Sequence, residues 1–169
     1  MPSRRISVGF AFLGLLAGAC LGGDSSMDRA TLRGVKALKV VVDPIDPELA
    51  REGIDRERLR TSIELKLRNA QIKIDNDAVE FLGLSFAPVE AGRRGRLSIR
   101  KAAHTVAVGL GVYQVVLLTR STETKTVAET WGQQRVMCAA GRDLDREVSN
   151  AVDELADQFV KAYRAVNPE

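Results

Sequence analysis

The clearest hydrophobic pattern of the chain lies near its C-terminal end, over residues 143–166. Apolar side chains recur there every three or four positions, the spacing that places them on one face of an α-helix. Acidic residues stand in the first turn and basic residues in the last, as the helix dipole favours, and Asn167-Pro168 ends the pattern. We predict a long amphipathic helix with a buried stripe made of Leu144, Val148, Val152, Leu155, Phe159, Tyr163 and Val166.

A shorter helix is predicted over residues 55–70. Asp55 is suited to be its N-cap, because a carboxylate can accept a hydrogen bond from a free backbone N–H of the first turn. Four apolar residues at helical spacing form its buried stripe, namely Leu59, Ile63, Leu67 and Ala70.

Short runs of β-branched or alternating residues predict the strands. The predicted strands are 38–42, 72–74, one that contains Leu97 and Ile99, 105–118, 127–131 and 135–138, with a hairpin tip at 120–125. Residues 78–96 have the least regular pattern. We interpret Gly109-Leu110-Gly111 as a hairpin turn or a bulge within the meander.

This order of elements predicts the fold class. A strand, a helix and a strand are followed by a meander and a long helix, which is typical of an α+β domain. We expect a mostly antiparallel sheet of about four to five strands, with two helices packed on one face, in a single domain over residues 31–169.

Residues 1–19 have the three parts of a secretory signal peptide. Arg4 and Arg5 form a basic start, and the apolar run over residues 8–16 is too short to span a membrane. Ala17-Gly18-Ala19 then forms a small-residue cleavage site. The chain is therefore expected to be exported.

Cys20 directly follows that cleavage site, and the junction resembles a bacterial lipobox with Ala17 where leucine is usual. We predict that Cys20 is acylated and that the residues up to 30 form a flexible tether. Because no acidic residue follows Cys20 directly, the predicted location is the outer membrane, with the domain facing the periplasm. Ordinary cleavage after Ala19, which would give a soluble periplasmic protein, is the alternative.

Removal of the signal peptide changes the charge of the chain. The 169 residues are 45% hydrophobic and 28% charged, as in a globular protein, and carry a net charge of +3. Loss of Arg4 and Arg5 leaves +1 on 150 residues, so we expect no nucleic-acid partner. Two cysteines and one histidine exclude a disulfide framework and the common structural zinc sites.

One dense cluster of cations remains in this nearly neutral mature chain. Arg93, Arg94, Arg96, Arg100 and Lys101 lie within nine residues. Guanidinium groups suit phosphates and carboxylates, so this cluster is a candidate site for an anion or a partner, such as lipopolysaccharide or the cell wall. The alternative is a solvated loop that protects a sheet edge.

Two aromatic residues are candidate anchors for a partner. Trp131 is the sole tryptophan; it would belong to the core if it faces the helices, and would be a partner anchor if it lies on the outer face near Tyr113. We predict that Cys138 is a buried free thiol.

No residue pattern predicts catalysis, a metal site or a cofactor. His104, the only histidine, lacks a nucleophile motif near it, and we expect a structural or surface role. Asp75-Asn76-Asp77 begins like a calcium loop, but Glu80 replaces the glycine required at the sixth position. We expect a solvated turn there.

The element order behind a lipoprotein signal resembles small envelope lipoproteins of the lipopolysaccharide-assembly (LptE-like), peptidoglycan-synthase-activator and TolB-N-terminal/CsgG-like groups. The residues that carry the resemblance are Leu38–Val42, Asp55–Ala70, Ile72–Ile74, Tyr113–Leu118, Thr130-Trp131, Phe159–Tyr163 and Asn167-Pro168. It is a resemblance of topology, and it implies no site residue.

Three hypotheses for the function follow. The first is a non-enzymatic, lipid-anchored protein of the bacterial cell envelope that binds another envelope component. The second is a soluble periplasmic enzyme of unknown reaction. The third is an oligomerising structural or assembly subunit, and the oligomeric state itself is not predicted.

Overall fold

A computed structural model describes residues 24–88 and 103–168, which form four helices and four strands. The helices are α1 (Ser26–Ala30), α2 (Pro47–Arg51), α3 (Arg56–Asn69) and α4 (Gly141–Val166). The strands are β1 (Lys39–Val42), β2 (Phe81–Pro88), β3 (Ala103–Leu118) and β4 (Ser121–Ala140).

The four strands form one sheet in the order β1-β2-β3-β4. β1 and β2 run parallel because the chain crosses back through α2 and α3 between them, whereas β2, β3 and β4 pair antiparallel. α3 and α4 pack together and cover the same face of the sheet. The predicted α+β fold, with its mostly antiparallel sheet, is confirmed.

Both long helices follow their predicted patterns. In α3 the side chain of Asp55 accepts a hydrogen bond from the backbone N–H of Arg58 at 2.9 Å, and Leu59, Ile63 and Leu67 are buried. In α4 the predicted stripe is buried from Leu144 to Phe159, and Tyr163 and Val166 are half-buried. Asn167 ends α4 and its amide donates to the carbonyl oxygens of Leu32 and Tyr163.

The second strand does not lie where the sequence predicted it. Residues 72–74 form only an isolated bridge between Ile74 and Leu38, while β2 lies within the segment predicted to be irregular. Alternation is lost in β2 because Phe81, on the face away from the helices, is as apolar as the inward Leu82 and Leu84. The segment that contains Leu97 and Ile99 lies outside the described residues.

β4 is one strand and not two. It begins directly after a tight turn at Thr119-Arg120, so most of the predicted hairpin tip is strand. The register with β3 shifts between Val112 and Tyr113, where Thr130 is the extra residue of a β-bulge. The hydroxyl of Thr31 donates to the carbonyl oxygen of Thr130 at 3.2 Å.

The core lies between the sheet and the helices, and Trp131 is part of it. Trp131 is 1% exposed, and its ring meets that of Phe159 edge-on, with centroids 5.3 Å apart. Of the two alternatives for Trp131, the core position is therefore the observed one, and a role as an exposed partner anchor is wrong. Its side chain faces the helices because it pairs with the inward Val112.

The N-terminal segment is folded from Asp24 on, so the prediction of a flexible tether is wrong for residues 24–30. Ser25 caps α1 in a reciprocal capping box with Asp28. Asp24 accepts hydrogen bonds from Nε1 of Trp131 at 3.1 Å and from the guanidinium of Arg29. These contacts attach the segment to the core, which its small polar residues did not indicate. Residues 20–23 lie outside the described range.

The prediction that Cys138 is a buried thiol is wrong. Cys138 is exposed and not buried, because it lies on the face of β4 that points away from the helices. Among the described residues, no helix is both long enough and apolar enough to cross a membrane.

Candidate functional site

The sheet has two unlike faces, and no described element covers the one opposite the helices. Along β3 the side chains of Val106, Val108, Leu110 and Val112 point to the helices and are buried. The alternate positions point to the other side. We call that side the open face, and it is where the candidate site lies.

Three glycines stand side by side on the open face. Gly83 of β2 pairs with Gly111 of β3, which pairs with Gly132 of β4. Gly109 lies one step along β3 and faces Ser85 and Gln134. A glycine in a strand interior permits close approach by another group, because no Cβ stands on the sheet surface there.

The first group that uses this space is the ring of Tyr113. It stacks on Phe81 with ring centroids 4.8 Å apart and an angle of 8° between the rings. A Cβ added at Gly83 would lie 2.9 Å from Cε2 of Tyr113, closer than carbon atoms can pack. Gly83 therefore gives space to the edge of the Tyr113 ring, where the Cβ of any other residue would collide with it.

The second group is the carboxylate of Glu129, which lies across the other two glycines. A Cβ at Gly111 would be 2.8 Å from Cδ of Glu129, and a Cβ at Gly132 would collide with Oε1. The phenol of Tyr113 donates a hydrogen bond to Oε2 of Glu129 at 2.9 Å. Partial burial raises the pKa of Tyr113, and the neighbouring carboxylate raises it further.

A shallow groove of about 410 Å³ lies beside Glu129. Its floor is the backbone of the glycines and its sides carry carboxylate, amide and hydroxyl groups. The lining residues are Ser85, Gly109, Leu110, Gly111, Glu129, Gly132, Gln133 and Gln134. A groove of this chemistry can accept hydrogen-bond donors at Glu129 and pair with backbone or side-chain amides along the glycines.

Exposed hydrophobic side chains continue the open face beyond the groove. β3 and β4 project past β2, whose first residue pairs with Tyr113. In this extension Val115, Leu117 and Val127 are exposed, and Val136 is exposed toward the other end of β4. Four of the seven large hydrophobic side chains exposed in the described residues thus lie on one face of one hairpin, which makes this face a candidate interaction surface.

The structure separates the residues predicted as sites. Tyr113 lies in the candidate site, on the open face, whereas Trp131 lies in the core. Cys20 and the cations Arg93, Arg94, Arg96, Arg100 and Lys101 fall outside the described residues, so their roles stay predictions.

Glu129, Gly83 and Gly132 were not predicted as site residues. The interpretation of Gly109-Leu110-Gly111 as a turn or bulge was wrong, since both glycines pair regularly within β3. The available signal was that each glycine interrupts a strand pattern without a second turn residue beside it. The alignment of three glycines depends on strand register, which no local pattern reports.

The remaining polar candidates have local structural contacts. Nε2 of His104 lies 3.7 Å from Oε1 of Glu52. The carboxylate of Asp75 accepts a hydrogen bond from the backbone N–H of Asp77 at 3.0 Å, which closes the predicted turn and lowers the pKa of Asp75. Within residues 24–88 and 103–168, no three histidine, cysteine, aspartate or glutamate side chains lie close enough together to hold a metal ion.

Comparison with known proteins finds matches among solved structures. No protein-family model matches the chain, and no curated protein matches it. Among solved structures the chain is similar to a minor lipoprotein from Acinetobacter baumannii, with 13% sequence identity and a TM-score of 0.36. The match covers 77% of this chain and 93% of the other.

Proposed function

We propose that this protein is an exported lipoprotein of the bacterial cell envelope that is anchored by Cys20 and binds another envelope protein through its open face. The signal-peptide pattern and the position of Cys20 support the location. The hydrophobic side chains beside the groove carry the proposal of binding. The proposed location is the outer membrane, with the domain facing the periplasm.

A protein fits this surface better than a small ligand does. The exposed valines and leucine of the hairpin form a stripe beside a polar groove, the combination of apolar contact and a few directional groups found at protein interfaces. An extended segment or a hairpin of the partner could place an amide or a cation at Glu129 and cover the stripe. The groove alone is shallow and open, unlike the enclosed pockets that hold small molecules.

The proposed role is binding without catalysis. Glu129, the ionisable group of the groove, accepts a hydrogen bond from the phenol of the neighbouring Tyr113. The hydroxyl of Ser85 donates to the carbonyl oxygen of Gly109 at 3.5 Å and so is directed to backbone instead of a base. A nucleophile that is activated by a base needs a hydrogen bond between the two, which this arrangement does not provide.

A second candidate is self-assembly through β4. This strand is 20 residues long and lies at the end of the strand order, so its outer backbone groups face no strand in the described part of the chain. Such an edge can pair with the same edge of a second copy. Arg135 and Glu154 form an ion pair beside this edge.

Acylation is tested by replacing the anchor residue. Cys20→Ser should move the protein from the membrane fraction to the soluble periplasmic fraction and remove the acyl mass from the mature N-terminus. An unchanged fraction together with an unmodified N-terminal mass in the parent protein would contradict the proposed anchor.

Binding through the open face is tested with a photo-crosslinking amino acid in living cells. The chain offers a matched pair of exposed leucines: Leu117 on the open face is 53% exposed and Leu65 on the outer side of α3 is 56% exposed. We expect a discrete cross-linked product from position 117 and none from position 65. Products of equal yield from both positions, or from 65 alone, would contradict the assignment of the interface.

A groove variant tests whether the glycine row takes part. Gly132→Val places a side chain where Glu129 lies, and valine suits a strand, so the fold should persist. We expect the cross-link from position 117 to weaken strongly, whereas Thr124→Val in the same strand should leave it unchanged. A cross-linked product with the mass of two copies of this chain would instead support self-assembly.

A further inference from the structure

The carboxylate of Asp24 attaches the start of the folded domain to the core. Asp24 accepts hydrogen bonds from Trp131 and Arg29. The hydrogen bond from Arg29 lowers the pKa of Asp24 most, and partial burial opposes it; the hydrogen bond from Trp131 and the charges of Arg29 and of Lys161 on α4 lower it further. The helix α1, which follows Asp24, packs against both β4 and α4.

Only three residues separate Asp24 from the proposed anchor. Four Cα-to-Cα steps join Cys20 to Asp24, so these atoms are at most about 14 Å apart in any conformation of the chain. α4 has 26 residues and is about 39 Å long at 1.5 Å per residue. The largest distance between Cys20 and Asp24 is thus about a third of the length of α4.

The surface around Asp24 has the chemistry of a surface that rests on lipid. Met27 on α1 is 79% exposed, and Arg33 and Lys161 are exposed cations. In the described residues neither cation forms a salt bridge with a carboxylate. Exposed apolar side chains and cations together suit the boundary between acyl chains and anionic headgroups.

We infer that this anchor-proximal surface, defined by Met27, Arg33 and Lys161, lies against the phospholipid membrane that carries the acyl chains. The inference rests on the proposed acylation of Cys20 and adds an orientation to it. The short connection and its attachment at Asp24 keep the N-terminal half of α4 away from the bilayer.

This orientation leaves the open face available. Trp131 faces the helix layer, so its partner Asp24 lies on the helix side of β4 and not on the groove side. A lipid surface in contact with α1 therefore meets the side opposite the groove. The two surfaces can be occupied at the same time.

The test compares two labelled positions on the acylated protein. In a Cys138→Ser background, a fluorophore is attached to Met27→Cys or to Arg142→Cys at the start of α4, where the native side chain is 81% exposed. Arg142 lies about 28 Å along α4 from Lys161. The proteins are reconstituted in vesicles of phosphatidylethanolamine and phosphatidylglycerol that contain a lipid with a quencher on its headgroup.

We expect several-fold stronger quenching at position 27 than at position 142. A Gly/Ser linker of about 20 residues inserted between Gly23 and Asp24 has a root-mean-square length of about 25 Å. It should reduce quenching at position 27 toward the value at position 142 if the short connection holds the surface in place. Equal quenching at both positions of the parent protein would overturn the inferred orientation.

The experiment distinguishes an incorrect orientation from an absent acyl anchor. The intact mass of the protein and its flotation with vesicles report acylation independently of the fluorophore. Acylated, floating protein with equal quenching contradicts the orientation alone. Protein without acyl mass that does not float contradicts the proposed anchor, and the orientation with it.

Discussion

The two faces of the same strands differ in what their side chains can do. On the helix side of β3, branched aliphatic residues from Val106 to Val112 are buried, together with Trp131 of β4. On the open face, the alternate positions of β3 are Ala107, two glycines and Tyr113, and β4 contributes Glu129. One face holds the apolar area that stabilises the fold, and the other leaves space and polar groups uncovered.

The difference shows why a two-layer α+β domain can carry a binding surface at low cost in stability. Glycine weakens a strand, and a polar side chain on a sheet adds little to the core. Both are tolerated on the open face because the folding energy comes from the helix-covered layer. Mutations on the two faces should therefore separate stability from binding.

The largest expected effect comes from a matched pair of leucines in β3. Leu110 is 1% exposed on the helix side, whereas Leu117 is 53% exposed on the open face. Leu110→Ala should lower the free energy of unfolding by about 2–5 kcal/mol, because it removes packed methyl groups and leaves a cavity. Leu117→Ala should change it by less than about 0.5 kcal/mol.

Urea unfolding followed by the fluorescence of Trp131 measures both values, since it is the only tryptophan. The cross-link experiment should show the reverse order, with Leu117→Ala weakening partner capture. If the two variants lost similar stability, the assignment of stability and binding to opposite faces would not hold.

A smaller loss in the free energy of unfolding is expected from a substitution of Asp24, where α1 is attached to the helix-covered layer. Asp24→Ala removes the charge-assisted hydrogen bonds to Arg29 and Trp131, which should cost about 1–3 kcal/mol. The backbone amides of α1 should also lose protection against hydrogen exchange, because the attachment of this helix is lost.

Asp28→Ala provides the matched control for Asp24→Ala. It removes one half of the capping box of α1 but leaves Asp24 in place. Its expected cost is about 1 kcal/mol or less. If both variants left the amides of α1 equally protected, Asp24 would not be the point of attachment.

The smallest expected effect concerns the pH dependence of the open face. The pKa of Tyr113 is raised above its ordinary value of 10.0, so folding favours the protonated phenol. The stabilisation is fully present below pH 10 and is lost as the pH rises through the raised pKa of the folded state. Tyr113→Phe should therefore make stability less sensitive to pH above 10.

Glu129→Gln isolates the part of this shift that the carboxylate contributes. It should lower the pKa of Tyr113 part of the way toward 10.0, because burial remains the larger cause. Titration of tyrosinate absorbance, with Tyr113→Phe to identify the signal, measures the change. An unchanged titration curve would show that Glu129 does not lie beside the phenol in solution.

Much of the fold could be predicted because its helices are buried on one face. The apolar stripes of α3 and α4 and the N-cap Asp55 were all readable within a short window. β2 was not predicted, because Phe81 and Leu82 are both apolar although they point to opposite faces. The alternation of apolar and polar residues that indicates a strand is therefore absent. Cys138 was misplaced because its neighbours do not reveal which face of an edge strand is covered.

The sequence by itself determined the fold class and the stripes that form the core, and it carries the predictions of an export signal and an acylation site. These features depend on residues close together in the chain, whose spacing directly encodes a face or a segment. Only the tertiary structure decided that Gly83, Gly111 and Gly132 meet in one row, that Glu129 lies over them, and that Asp24 binds Trp131. Each of these contacts joins residues that are distant in sequence, and strand register and layer packing bring them together.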